Sequence, residues 1–226
     1  VTKVVNAPVG MGFVFAGDSL KARILRPVAL LALKRLLNPS GSKVVFENDD
    51  DLREMVRIGA VRRDAAVLIR GAGVDIERYA PAPEPTGVPV VLFAARLIWE
   101  KGVGVFVNAA RILRAQGVEA RFLVAGGVDH ESSSAVPESQ LRDWEAEGTI
   151  TWLGARRDMA RVIADCNLFC LPTHYREGLP KVLLEAMACG RACVATDAPG
   201  CREAITDGDN GLLVPVRDAD ALARAL

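Results

Sequence analysis

The stretch Leu168-Phe-Cys-Leu-Pro-Thr-His-Tyr-Arg-Glu-Gly-Leu-Pro-Lys-Val-Leu-Leu-Glu-Ala-Met-Ala-Cys-Gly190 changes its hydrophobic period midway. Leu168–Leu171 is a short apolar run bounded by turn formers, the pattern of a buried strand ending in a loop. Pro180 then suits the first position of a helix, where a missing N–H costs nothing and a fixed φ helps. Val182, Ala186 and Cys189 recur at helical spacing and predict the core stripe. A buried strand feeding a helix through a tight loop is the unit of a parallel α/β sheet. The free amides of the helix's first turn, at the positive end of its dipole, make an anion site at the strand's carboxyl end. Glu185 lies off the apolar stripe and is expected to face the crevice, where a carboxylate can accept paired hydroxyl hydrogen bonds; Glu177 sits in the loop before the helix.

The same grammar recurs outward from this segment. Candidate strands fall near 90–94, 121–125, 150–153, 168–171, 192–196 and 212–214, each followed by a helix or a helix signal. Upstream, strands are expected near Lys3–Asn6, Lys43–Glu47 and Ala66–Ile69, with helices near Leu20–Leu37 and Asp49–Ile58. The alternation argues for the α/β class with parallel sheets. Between the two groups, Arg70-Gly-Ala-Gly-Val-Asp-Ile-Glu-Arg-Tyr-Ala-Pro-Ala-Pro-Glu-Pro85 is rich in Gly and Pro and reads as a linker. The expected domains are therefore 1–70, a linker 71–87, and 88–226.

A second cluster of charge stands at a strand end. Val90-Val-Leu-Phe-Ala-Ala95 reads as a buried strand, followed by Arg96-Leu-Ile-Trp-Glu-Lys-Gly102 and an amphipathic helix carrying Val105, Phe106, Ala109, Ile112 and Leu113. Arg96 and Lys101 thus accompany a phosphate-ready helix in one sheet.

With Glu177, Gly178, Pro180, Glu185 and Ala186 in place, the first segment resembles the E-x7-E motif of retaining glycosyltransferases of the GT-B fold, in particular glycosyltransferase family 4. The second resembles the family's G-R-L-x-x-x-K-G element, with Ala95 in place of its first Gly. The linker resembles the family's Asn-Gly-Val-Asp-x-x-x-Phe-x-Pro crossover. Val1-Thr-Lys-Val-Val-Asn-Ala-Pro-Val-Gly-Met-Gly-Phe13 is similar to the branch that builds capsular, O-antigen and exopolysaccharide repeat units on polyprenyl diphosphate carriers.

The resemblance implies a GT-B chain of two Rossmann-like domains, here a partial amino-terminal domain and a nearly complete donor-binding domain. It implies transfer of a sugar from a nucleoside diphosphate sugar, UDP-linked, with retained configuration and no further cofactor or metal. Arg96 and Lys101 would stabilise the departing diphosphate with the amides around Gly178, Leu179, Pro180, Lys181 and Val182. Glu185 would hold the ribose and Glu177 the transferred sugar, while Trp152-Leu-Gly-Ala155 would lie against the base. The acceptor would be a polyprenyl-diphosphate-linked saccharide, met at the cytoplasmic, inner face of the plasma membrane. Two other readings compete: a non-catalytic GT-B nucleotide-sugar binding module, and a nicotinamide-dependent oxidoreductase. The latter needs a G-x-G-x-x-G turn, which neither Gly71-Ala-Gly73 nor Gly126-Gly127 supplies.

Composition bounds the remaining choices. Net charge is zero over 226 residues and half of them are hydrophobic, so a sizeable core is expected and no nucleic acid partner. The balance conceals an asymmetry of +5 in residues 1–70 against −5 in 71–226. Much of the positive excess lies on Leu20–Leu37, which has five Lys or Arg, no acid and many apolar residues. Such a helix can lie on an anionic membrane surface or pack on its sheet with a solvated basic face, and Pro27 is expected to start or kink it. The five cysteines lack metal or redox spacing and read as small core residues, Cys201 in its Gly-rich loop being the candidate for reactivity. His130 reads as a solvated loop residue, and His174 lies nearer the site. The chain opens at Val1 and stops at Leu226 inside a helical pattern, which predicts a piece of a longer protein lacking the early amino-terminal part.

Overall fold

The structure, a computed structural model, describes residues 3–8 and 20–226, with side chains in the first helix from residue 24 onward. Most of the Val1–Phe13 stretch therefore lies outside the described residues. The chain forms two compact units, one of 1–72 with 176–180 and one of 73–175 with 181–226.

The first unit holds a three-stranded parallel sheet in chain order: β1 (Val5–Asn6), β2 (Lys43–Phe46) and β3 (Ala66–Leu68). Helices α1 (Leu20–Leu37) and α2 (Asp49–Arg57) connect them. The core is small and is formed by Leu37, Val44, Phe46, Leu52, Met55, Ala60, Val61 and Ala65. Asn48 caps α2 through its side-chain oxygen, and Asp49, Asp50 and Asp51 fill the first turn, where negative charge suits the helix dipole.

Helix α1 starts at Leu20 and runs through Pro27, so the proline does not begin it. Leu30, Leu33 and Leu37 turn toward the core, yet Ile24, Leu25, Val28, Leu31 and Leu36 are exposed. The helix thus turns one apolar face to the core and leaves further apolar residues exposed.

The second unit is a six-stranded, wholly parallel sheet: β4 (Val90–Ala94), β5 (Arg121–Ala125), β6 (Thr151–Gly154), β7 (Leu168–Leu171), β8 (Ala192–Thr196) and β9 (Leu212–Val214). Its order is β6-β5-β4-β7-β8-β9, the doubly wound order in which direction reverses between the first and fourth strands. Every residue of β4 is buried, which explains its unbroken apolar run. Helices α3 (Val103–Ala115), α4 (Glu138–Ala146), α5 (Met159–Ala164), α6 (Lys181–Ala188), α7 (Cys201–Ala204) and α8 (Ala219–Ala225) complete it. Phe106 of α3 packs on Phe93 and Phe122, with ring centroids 5.6 and 5.8 Å apart.

Residues 73–87 pack against this second sheet. Arg191, 4% exposed, donates to the carbonyls of Ala82 and Pro83. Asn167 donates to Glu84 and to the Pro85 carbonyl, both at 2.9 Å, and accepts from Val90 N.

Candidate functional site

The switch between β4 and β7 places two loops side by side at the carboxyl ends of adjacent strands. The first, Ala95–Gly102, is fixed by backbone contacts. Gly126 has φ +156°, and a Cβ there would lie 2.0 Å from the Ala95 carbonyl oxygen. Leu97 N donates to Gly127 O at 3.2 Å and Trp99 N to Ser134 O at 3.0 Å. Gly102, at φ +84°, closes the turn; a Cβ there would lie 1.9 Å from the Pro172 carbonyl oxygen. The Lys-Gly pair thus has a local cause, because only glycine lets the two loops touch. Ala95, standing where the resembled motif has Gly, keeps a negative φ and gains no strain.

This packing buries a cation. Lys101 is 8% exposed, with its ammonium 5.3 Å from the Tyr175 ring centroid. The loop after β7 wraps the preceding residue: His174 N, Tyr175 N and Thr173 Oγ1 all donate to Glu100 O, at 2.8, 3.0 and 3.2 Å. Arg96, by contrast, keeps its side chain 62% exposed and pairs with Asp129 at 3.0 Å. An exposed pair of that kind is worth under about 1 kcal/mol, so an arriving anion can displace Asp129.

Across the switch, α6 begins at Lys181, leaving Pro180 just before its first residue. Leu183 and Ala186 are its fully buried positions, and Cys189, just beyond its end, is buried as well. Val182 is only partly buried, a correction to the expected stripe: Leu183 turns more squarely into the core. Glu185, whose side chain is 14% exposed, has the Lys181 ammonium at 4.0 Å. Its charge also acts on the Tyr79 phenol, which is pushed up by burial first and by Glu185 second.

Glu177, Gly178, Leu179 and Pro180 belong to the first unit, where side chains hold them. Asn48 Nδ2 donates to Glu177 O and Gly178 O, each at 3.2 Å, while Leu179 N donates to Glu47 Oε2 at 3.3 Å. Arg176 pairs with Asp51 at 2.8 Å, their side chains 26% and 5% exposed. Sequence reasoning missed Glu47, Asn48, Asp51 and Tyr79 as supports. Asn48-Asp-Asp-Asp announced only a helix start, and nothing local linked it to a loop about 130 residues later.

Other expectations are answered residue by residue. Trp152 directs its indole N–H to Gly126 O at 3.0 Å, beside the β5 loop. His130 is exposed. His174 is partly buried, and that burial lowers its pKa; its Nδ1 is buried and has no hydrogen-bond partner. All five cysteines are buried, and burial raises Cys166 and Cys193 to about 12. Cys201 is fully buried at the start of α7, which removes it as a reactive thiol.

Residues 88–226, which hold Arg96, Lys101 and Glu185, match the family model described as glycosyl transferases group 1. The chain belongs to the group 1 glycosyl transferases. It is 29% identical over 230 residues to an N,N'-diacetylbacillosaminyl-diphospho-undecaprenol alpha-1,3-N-acetylgalactosaminyltransferase of Campylobacter jejuni, covering 96% of this chain and 58% of that protein. It is 32% identical over 211 residues to a phosphatidyl-myo-inositol mannosyltransferase of Mycolicibacterium smegmatis, covering 89% and 52%. The chain thus spans little more than half the length of these curated group 1 relatives. The Anabaena HepE structure in complex with UDP superposes with a TM-score of 0.77 at 23% identity, over 97% of this chain and 60% of that one. The fold of this group 1 chain is GT-B, with three strands in the first sheet and six in the second among the described residues.

Proposed function

We propose that the chain carries the donor-binding half of a retaining glycosyltransferase that moves a sugar from a UDP-linked donor to a lipid-linked saccharide in surface polysaccharide assembly. The observation that carries this reading is Lys101, a cation 8% exposed at the end of β4, in the loop that abuts the one after β7. The names of the relatives support the finer reading. One acts on an undecaprenol-linked saccharide, and the HepE structure holds UDP.

In this mechanism the departing diphosphate gathers negative charge as the glycosidic bond breaks. Lys101 meets that charge already desolvated, so little reorganisation is needed, and Arg96 exchanges Asp129 for phosphate oxygen. Amides from Gly178 to Val182 supply further donors, with Lys181 beside them. Glu185 accepts from the ribose hydroxyls, and Glu177 meets the transferred sugar. Loss of Lys101 or Arg96 is expected to cost about 3 kcal/mol of transition-state stabilisation, roughly a hundredfold in the rate of the complete enzyme. The chain by itself binds donor and transfers little. Calorimetric titration with UDP and GDP tests the reading, and binding of neither sinks it.

The finer placement of the protein, on the cytoplasmic face of the membrane, rests on α1. Exposed Ile24, Val28, Leu31 and Leu36 share that helix with Lys34 and Arg35, a composition suited to an anionic lipid surface. No helix among the described residues is long and apolar enough to cross a membrane. Sedimentation with vesicles of anionic lipid should retain the chain, and equal retention by neutral vesicles would count against the charge-dependent attachment.

A further inference from the structure

The loop Arg176–Pro180 is gripped by side chains to which the proposed chemistry gives no task. Asn48 performs two at once. Its Oδ1 accepts from Asp51 N at 2.7 Å and caps α2, while its Nδ2 lies 3.0 Å from Asp51 Oδ2 and 3.2 Å from both Glu177 O and Gly178 O. Asn48 is 1% exposed, so these carbonyls have no ready substitute in water. The residue type is specific to the double role. Aspartate would cap but repel two carbonyls, serine would cap without amide hydrogens, and only asparagine offers a short-reach acceptor and two donors. The Arg176–Asp51 pair and the Glu47 carboxylate on Leu179 N complete the grip on either side.

We infer that Asn48 is a positioning residue for the donor sugar. By fixing the carbonyls of Glu177 and Gly178 it sets the direction in which the Glu177 side chain leaves the backbone. This rests on the reading of Glu177 as the carboxylate that meets the transferred sugar.

Asn48→Ser separates the cap from the grip, since serine caps a helix about as well as asparagine. The chain and this variant are compared by amide hydrogen exchange, by thermal midpoint, and by dissociation constants for UDP, UDP-glucose and UDP-N-acetylgalactosamine. Exchange in α2 should stay close to parent values and the midpoint should fall by only about 2–4 °C, while the Leu179 amide should exchange roughly three- to tenfold faster, as loss of one or two hydrogen bonds predicts. For the sugar nucleotide that the parent binds best, the ratio of its dissociation constant to that of UDP should rise about threefold or more. Faster exchange with a raised ratio supports the inference. An unchanged ratio overturns it, because a merely structural grip would weaken UDP and the sugar nucleotide alike; parent-like exchange at Leu179 overturns it as well. If the parent binds none of the three, the donor reading itself falls, and the role in placing the sugar falls with it.

Discussion

The loop after β4 and the loop before α6 both carry candidate site residues, yet they are held by different means. Ala95–Gly102 is held backbone to backbone inside the second unit, with Gly126 against the Ala95 carbonyl and Gly102 against the Pro172 carbonyl. Arg176–Pro180 is held by side chains of the first unit, Asn48, Asp51 and Glu47. The first arrangement depends on the absence of side chains at two positions and on no partner's chemistry. The second depends on the chemistry of three partners. Backbone-built loops should therefore fail abruptly on one added methyl group, whereas the side-chain-built loop should weaken by degrees.

The largest effect is expected from Gly102→Ala. Its Cβ meets a main-chain oxygen at 1.9 Å and sits at φ +84°, so neither neighbour nor backbone can yield cheaply. The loss should be about 3 kcal/mol or more. Urea unfolding followed by tryptophan fluorescence reads it cleanly, since Trp99, Trp144 and Trp152 all lie in the second unit. Retention of the parent midpoint would break the comparison.

Asp51→Ala should cost about 2 kcal/mol, because it strands the Arg176 guanidinium and removes an Asn48 partner, although Arg176 retains some water. Calorimetric unfolding together with faster exchange across 176–180 would check it. Gly178→Ala sharpens the contrast, since its Cβ would meet the Glu47 carboxylate oxygen at 1.8 Å rather than a main-chain atom. The Glu47 carboxylate can swing away at the loss of its hydrogen bond to Leu179 N, but Glu47 Cβ at 2.9 Å cannot, so a small backbone shift adds to the cost and about 1–2 kcal/mol is expected in the same calorimetric measurement.

The smallest effect concerns His174, whose backbone amide clasps Glu100 O. Burial lowers its pKa, the nearby Arg217 lowers it further, and Glu100 opposes. As pH falls, the unfolded chain takes up the proton first. This contribution is therefore complete above the ordinary histidine value, about 6.5, and declines toward the lowered folded value. Between about pH 7.5 and 5.5 the unfolding midpoint of the parent should drop more than that of His174→Asn. Equal drops would remove His174 from the account.

The two loops also differ in how far they could be read in advance. Val90–Ala94 announced itself as a strand because β4 is buried on both faces and must be apolar throughout. Arg96 and Lys101 followed from their place beyond its end, whereas the close approach to Pro172 that requires Gly102 did not. The helix at α6 was equally legible from its period, though its most buried residue was not: an eight-residue helix leaves Val182 and Leu183 both compatible with the stripe. Tyr79 was read as part of a linker, and the Glu185 charge that acts on its phenol belongs to a residue over a hundred positions away. The second apolar face of α1 was visible as composition but not as exposure, since hydrophobic residues say that burial is favourable and not what supplies it.

What the amino-acid order determined by itself was the succession of parallel strands and helices, the Gly- and Pro-rich segment between the two groups, and the cations at strand ends. These follow from steric and hydrophobic rules that act within about 15 residues. Tertiary structure alone decided the strand order that makes β4 and β7 neighbours, the burial of Lys101, and the attachment of Arg176–Pro180 to Asn48 and Asp51. Such partnerships join segments far apart in the chain, and a hydrogen-bond donor leaves no local trace of the distant acceptor it will meet.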